Sequence, residues 1–427
     1  MGPEAEPAPA SALADPIAGS PVFPAGSRLN PRGRIEIAGC DLVELAAEFG
    51  TPAYVYSEDD LRARARQTIA AFAERTESFE VLYASKALTC TAAYRLFAEE
   101  GLSCDVASGG ELHMALRAGF DPALIYMHGN NKTEAELIAA LEAGVGHLIV
   151  DSLDEIERLE RLAAGRRQRV LIRVTPGIRP DTHEKIATGQ EDSKFGIPLA
   201  TLPIAVERCE AAGLEVRGLH AHIGSQVFDL DVYQRLAEVL VAAGDYPEVN
   251  MGGGFAVAYT RDQDPPPPAA YAEAMLERLP AGIRLLCEPG RSLVANPGVS
   301  LYTVGTVKDV PGVRRYVAVD GGMADNIRPM LYGAAYEAEI ADRVGDSTGC
   351  RLVGMHCESG DVLIEEARLE DPGLGDVVVV AATGAYGHSM ASNYNAVPRP
   401  PVIFCSEGDA RVVVRRETNE DLTARDV

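Results

Sequence analysis

Eight short apolar runs, each followed by an amphipathic helical pattern, fill residues 50 to 290 and predict an α/β chain closed into a (β/α)8 TIM-like barrel. After residue 295 the rhythm changes to short β-rich pieces broken by Gly and Pro, which predicts a second, β-rich domain. At 427 residues, 47% hydrophobic and 24% charged, the chain has the length and balance for two globular domains.

Residues 1–30 are rich in Ala, Pro and Gly, with no basic residue before Arg28. They lack the basic start and apolar block of a secretory signal, and read as a disordered extension on a cytoplasmic protein. Residues 31–48 begin with a strand-like piece, expected to pair with the β-rich domain and to leave the barrel, 49–294, as an insertion. Ser57 is an N-cap candidate for a helix over 58–73, expected to close the barrel's base. The barrel strands are then "VLYAS", "CDVAS", "IYMHG", "LIVDS", "VLIRV", "LHAHIG", "VNMGG" and "LLCEPG". Thr133 with Glu136, and Ser152 with Glu155, have the capping-box spacing that starts the helices between them. The second domain, 295–427, carries "LYTVGTV", "RRYVAVDGG", "VVVVAATG" and "RVVVRRE".

A net charge of −24 argues against nucleic acid or an anionic membrane surface as partner, since both require a basic footprint. No apolar run approaches the roughly 20 residues of a membrane helix. Eight cysteines without a C-x-x-C pair or cluster read as buried thiols in a reducing compartment, with no metal site expected.

In such barrels reactive groups sit where strands end. Those ends carry Lys86, Asp105 with Ser108, His128, Asp151, Arg173, His222, the triplet Gly252-Gly253-Gly254, and Glu288 before "PGR". Alone, each has a bland reading: a solvated lysine, a glycine turn, a satisfied histidine. On one mouth they describe a site for pyridoxal phosphate. Glycine amides and an arginine suit a phosphate, a carboxylate suits a ring nitrogen, and a lysine amine condenses with an aldehyde.

The motifs "YASKA", "DVASGGEL", "HGNNK", "THEKIATGQEDSKFGI", "HAHIGSQ", "CEPGRSLVANPGV", "VDGGMADNIRPMLYGA", "CESGDVL" and "GAYGHSMASNYNAVPRP" follow one another between about residues 35 and 420. In that order they resemble the diaminopimelate decarboxylases, pyridoxal phosphate enzymes of the alanine racemase/decarboxylase-like fold type III. The resemblance implies the loss of carbon dioxide from the D centre of meso-2,6-diaminopimelate to give L-lysine, by a homodimer with shared sites.

It also assigns roles. Lys86 would hold the cofactor covalently, Glu288 would face its pyridine nitrogen, and His222 would stack on its ring. Ser225, Gly253, Gly254 and Gly290 would cradle the phosphate, with Asp105 and Arg173 nearby. Arg291, Arg328, Tyr332, Glu358 and Tyr386 would contact substrate, Arg291 and Tyr386 also touching the cofactor. Cys357, arriving with Glu358 from the partner subunit, would be the proton donor. Two arginines suit two carboxylates, each guanidinium gripping one in a bidentate way. Ala256 and Ala221 depart from the glycine and cysteine common at those places, and neither removes a group the chemistry requires. A related decarboxylase acting on another amino acid or a carrier-linked substrate is the rival within this class, and a non-catalytic cofactor carrier the rival outside it. The paired arginines count against the first rival and the second domain's motifs against the other.

Overall fold

A computed structural model describes residues 15–163, 165–178 and 193–427. Among them, eight parallel strands close on themselves: β1 (Phe79–Ala84), β2 (Ser103–Val106), β3 (Ile125–Met127), β4 (His147–Val150), β5 (Arg169–Thr175), β6 (Glu215–His220), β7 (Glu248–Asn250) and β8 (Arg284–Cys287). β8 pairs with β1 through Leu285 and Phe79, which completes the ring. Every strand expected from the sequence is present. The stretch 182–192 of the quoted "THEKIATGQEDSKFGI" lies outside the described residues, as does residue 164.

The helix over Glu58–Ala73 forms as expected, with the Ser57 side chain accepting the Asp60 amide at 3.1 Å. It does not close the base. It lies between the helices Thr91–Glu99 and Pro268–Leu276 in the outer ring, filling the place a helix after β8 would take. Thr133 and Glu136 complete a reciprocal capping box. Ser152 caps Glu155 at 3.2 Å, but Glu155 turns away to the buried Lys132 ammonium at 2.7 Å, so that box stays half formed.

Two expectations at the N-terminal side are corrected. Residues 15–30 are packed: Ile17, Val22 and Phe23 are buried, and the Asp15 carboxylate accepts the Leu29 amide at 2.7 Å. Their apolar side chains outweigh the proline-rich composition that pointed to disorder. Within 31–48, Ile35–Ile37 and Cys40–Asp41 join Arg28–Leu29 in a small three-stranded sheet that touches the second domain at its edge. The strand that enters the second domain's sheet is Ala53–Ser57, all five residues buried. It pairs antiparallel with Gly298–Val310 and parallel with Val402–Ser406, so the barrel follows directly from residue 58.

Side chains alternate along a strand, so the barrel interior is layered. Glu80, Tyr126, His147, Glu248 and Arg284 share the level nearest the N-terminal ends, in mutual contact. Leu82, Ile149, Leu171 and Leu286 form an apolar layer with the Tyr126 ring. Above it, Asp105, His128, Arg173, His220, Asn250 and Glu288 face the mouth where the second domain lies.

Candidate functional site

The mouth opens into a cavity of about 580 Å³. Lys86, His222, Ser225, Gly253, Gly254, Glu288, Gly290 and Arg291 line it from the barrel, and Arg328, Tyr332 and Tyr386 from the second domain. Lys86 sits in the single turn that ends β1, its side chain 49% exposed and therefore reachable. Its ammonium lies 3.3 Å from the buried Asp105 carboxylate, which raises its pKa above the usual lysine value despite the enclosure. Asp105 thus stands behind the lysine instead of lining the cavity.

Glu288 is 5% exposed and has no arginine or lysine partner among the described residues. Asn250 donates to one oxygen at 2.7 Å, His128 Nε2 lies 3.0 Å from the same oxygen, and His220 Nε2 lies 3.3 Å from the other. Burial alone would raise this carboxyl, yet the two rings hold it well below the usual range. Burial holds His220 at about 4, so near neutrality it offers an N–H and no charge. Of these three neighbours, Asn250 and His220 escaped the sequence reading, which had named His128 as a strand end. Asn250 and His220 each lie two residues before a residue that was chosen, Gly252 and His222, and the period of two was the available signal. The ligand atoms of His128, His220 and Glu288 fall within 4.8 Å of one another, a spacing that could also hold a metal ion.

His222 forms part of the wall with its Nδ1 accepting the Gly253 amide at 3.2 Å, which leaves the proton on Nε2. Burial pushes it well below the ordinary histidine value, with Lys86 and Arg173 adding to the effect. The glycine turn is required by close approach: a Cβ on Gly253 would lie 2.2 Å from the Glu288 carbonyl oxygen, and one on Gly254 2.5 Å from that of Gly224. Gly254 also has φ +103, where an L side chain is strained. Arg173 does not reach the cavity wall; it lies 3.7 Å from Asp151 and stacks over Phe195.

Arg291 donates from Nε (3.1 Å) and a terminal nitrogen (2.9 Å) to Ser225 Oγ, and also to the Tyr259 hydroxyl. Arg328 donates to Tyr336, and its guanidinium lies 4.7 Å from the Tyr259 ring centre. Both arginines are buried, and among the described residues neither has a carboxylate partner. Burial would push the Tyr259 phenol up, but these two cations bring it down. Tyr259 is a further residue the sequence reading missed. Tyr386 takes φ 63, a left-handed conformation costly for tyrosine, with its amide donating to the Ala87 carbonyl at 2.8 Å. That bond ties the second domain to the turn that carries Lys86.

Cys357 and Glu358 are exposed and do not line this cavity; the Cys357 amide donates to Asn395 at 3.2 Å. The chain's own fold therefore does not bring them to the other site residues.

The donor set fits pyridoxal phosphate: an accessible amine, a buried carboxylate held by an asparagine and two histidines, and a glycine turn beside a serine and an arginine. Comparison with known proteins agrees. Residues 59–295 match the family described as pyridoxal-dependent decarboxylase, pyridoxal binding domain. The chain is similar to the diaminopimelate decarboxylase of Bacillus subtilis, 45% identical over 425 residues, covering 94% of this chain and 97% of that one. It is 46% identical to that of Mycobacterium tuberculosis, covering 95% and 98%. The crystal structure of the diaminopimelate decarboxylase of M. jannaschii in co-complex with L-lysine superposes with a TM-score of 0.87 at 34% identity, covering 94% and 97%. No helix among the described residues is long and apolar enough to cross a membrane.

Proposed function

The chain belongs to the diaminopimelate decarboxylases, within the pyridoxal-dependent decarboxylases, and from this premise we propose that it removes carbon dioxide from meso-2,6-diaminopimelate at the D centre to leave L-lysine. The observation that carries the substrate is the pair of buried guanidiniums, Arg291 and Arg328, without a carboxylate partner among the described residues. A buried cation left unpaired is costly, so the cavity favours a ligand that brings anionic groups. A phosphate and the carboxylates of a diacid supply them; the amines L-ornithine and L-arginine bring one carboxylate and a surplus of positive charge.

Bound pyridoxal phosphate supplies an electron sink for the pair left on the α carbon when carbon dioxide departs. Lys86 Nζ would hold that cofactor, and Asp105 sets the charge on the amine while it is free. Glu288, kept anionic, would hold a proton at the pyridine nitrogen. His222 would stack on the ring, while Ser225, Gly253, Gly254, Gly290 and Arg291 would surround the phosphate. Arg291 and Arg328 would grip carboxylates, and Tyr332 and Tyr386 would bound the substrate.

The reading includes a cytoplasmic homodimer. Cys357 and Glu358 stand exposed on their own subunit beside Met355, 53% exposed, and Tyr394, 41% exposed. From there they would enter the partner's cavity, Cys357 to deliver a proton to the α carbon and Glu358 to meet the distal ammonium. The test is carbon dioxide release from the meso isomer against L,L-diaminopimelate, L-ornithine and L-arginine, with and without added cofactor. Turnover confined to the meso isomer and dependent on cofactor is expected; faster turnover of L-ornithine would overturn the assignment.

A further inference from the structure

Asp361 closes the loop that carries Cys357 and Glu358, yet it bonds to more than that loop. Its carboxylate is 4% exposed. One oxygen accepts the His356 amide at 2.8 Å, next to Cys357. The other accepts the Met323 amide at 2.7 Å, in the turn that leads into the helix Arg328–Tyr332. That turn is held a second time by Asp325, which accepts the Gly322 amide at 2.8 Å and the Tyr302 hydroxyl. The loop and the turn also meet directly, the Met355 amide donating to the Gly321 carbonyl at 2.9 Å.

The sequence leaves room for only this arrangement. A Cβ on Gly322 would stand 2.5 Å from one Asp361 oxygen, and a Cβ on Gly354 2.2 Å from the other. Both walls of the carboxylate are thus bare backbone, and its two oxygens are each committed to an amide of a different segment. A carboxylate accepts at both ends; an amide side chain of the same shape would turn an N–H against one of these N–H groups.

We infer that Asp361 is a positioning residue that fixes two recognition elements at once: the Arg328 helix of its own cavity and the Cys357 loop that serves the partner's. The inference rests on the shared-site reading above. Through this one side chain, each subunit's grip on its own substrate is tied to the proton donor it lends.

Mixed dimers separate the two arms. When Lys86→Ala and Cys357→Ala subunits exchange, the one working site of a mixed dimer takes Lys86 and Arg328 from the Cys357→Ala chain and Cys357 from the other. Asp361→Asn placed in the Lys86→Ala chain is expected to lower kcat about tenfold, with KM rising as well because Glu358 moves with Cys357, since a lost buried amide contact is of that order. Placed in the Cys357→Ala chain, it is expected to raise KM about tenfold with kcat little changed. If Asp361→Asn chains do not fold, Gly354→Ala, which displaces the carboxylate by crowding, carries the same test. Equal kcat and KM in both placements, or a response in one placement alone, overturns the inference. Failure of the unmodified pair to recover activity despite exchange proven by mass overturns the shared-site reading, and this inference with it.

Discussion

At the N-terminal end of the barrel interior His147 stands 3.2 Å from Glu248; at the C-terminal end His220 stands 3.3 Å from Glu288. The pairs are near copies in distance and burial, and differ in what surrounds them. Glu248 also meets Arg217 at 3.0 Å, and its neighbour Glu80 meets Arg284 at 2.7 Å, so each acid at that end is neutralised by a guanidinium. Glu288 has an asparagine and two histidines and, among the described residues, no guanidinium or ammonium partner. A carboxylate already paired with arginine has little attraction left for a further proton-bearing group, whereas one without a guanidinium partner keeps its field for a ligand. The lower pair seals the barrel, and the upper pair is set to act on what enters the cavity.

That contrast can be broken by substitution at the two ends. The largest effect is expected at the mouth from Lys86→Ala, with turnover down by a factor on the order of a thousand or more. Borohydride reduction and peptide mapping of the parent should find the cofactor on Lys86, and labelling at Lys132 or Lys194 instead would move the attachment site. Glu288→Gln should keep bound cofactor and lose on the order of a hundredfold in kcat, measured as carbon dioxide release. Near-parental turnover would mean that this carboxylate does not face the ring.

A charge-preserving change sharpens the comparison. Arg328→Lys should raise KM roughly tenfold or more with a smaller change in kcat, because an ammonium cannot reproduce a two-pronged grip. The same change at Arg284, at the sealed end, should leave KM where it is. The smallest catalytic effect is expected from Glu248→Gln, which should leave kcat within about twofold while costing about 1–3 kcal/mol of stability at neutral pH. Burial would raise the Glu248 carboxyl, but His147 and Arg217 hold it below its usual value. Its ionised form therefore adds stability that is complete above the unfolded value of about 4.3 and is lost as pH falls through the folded one. Melting temperatures of parent and variant should converge as pH falls through the folded value, and a constant gap would refute this role.

The barrel was legible because its strands are short, β-branched and bounded by turn residues, and because Ser57 and Thr133 mark helix starts that the backbone uses as read. Lys86, Glu288 and the glycine turn were legible for the same reason, as residues at strand ends. The support behind them was not. Asn250 and His220 look like ordinary strand residues until eight strands close and bring their ends within hydrogen-bonding reach of Glu288. The strand Ala53–Ser57 was passed over in favour of 31–48, because five consecutive buried residues carry no alternation to mark a sheet face. Val22 and Phe23 were hidden in a proline-rich stretch whose composition outvoted two apolar side chains.

Ala53–Ser57 also sets an order on how the molecule can be made. It lies centrally in the second sheet, flanked by Gly298–Val310 and by Val402–Ser406, one of the last strands to leave the ribosome. During synthesis the barrel is whole long before that partner exists, and until then one side of the strand has open amides and carbonyls. A nascent chain stalled in this interval would carry a finished barrel and an unpaired sheet edge, the surface on which newly made chains adhere to one another or are met by chaperones.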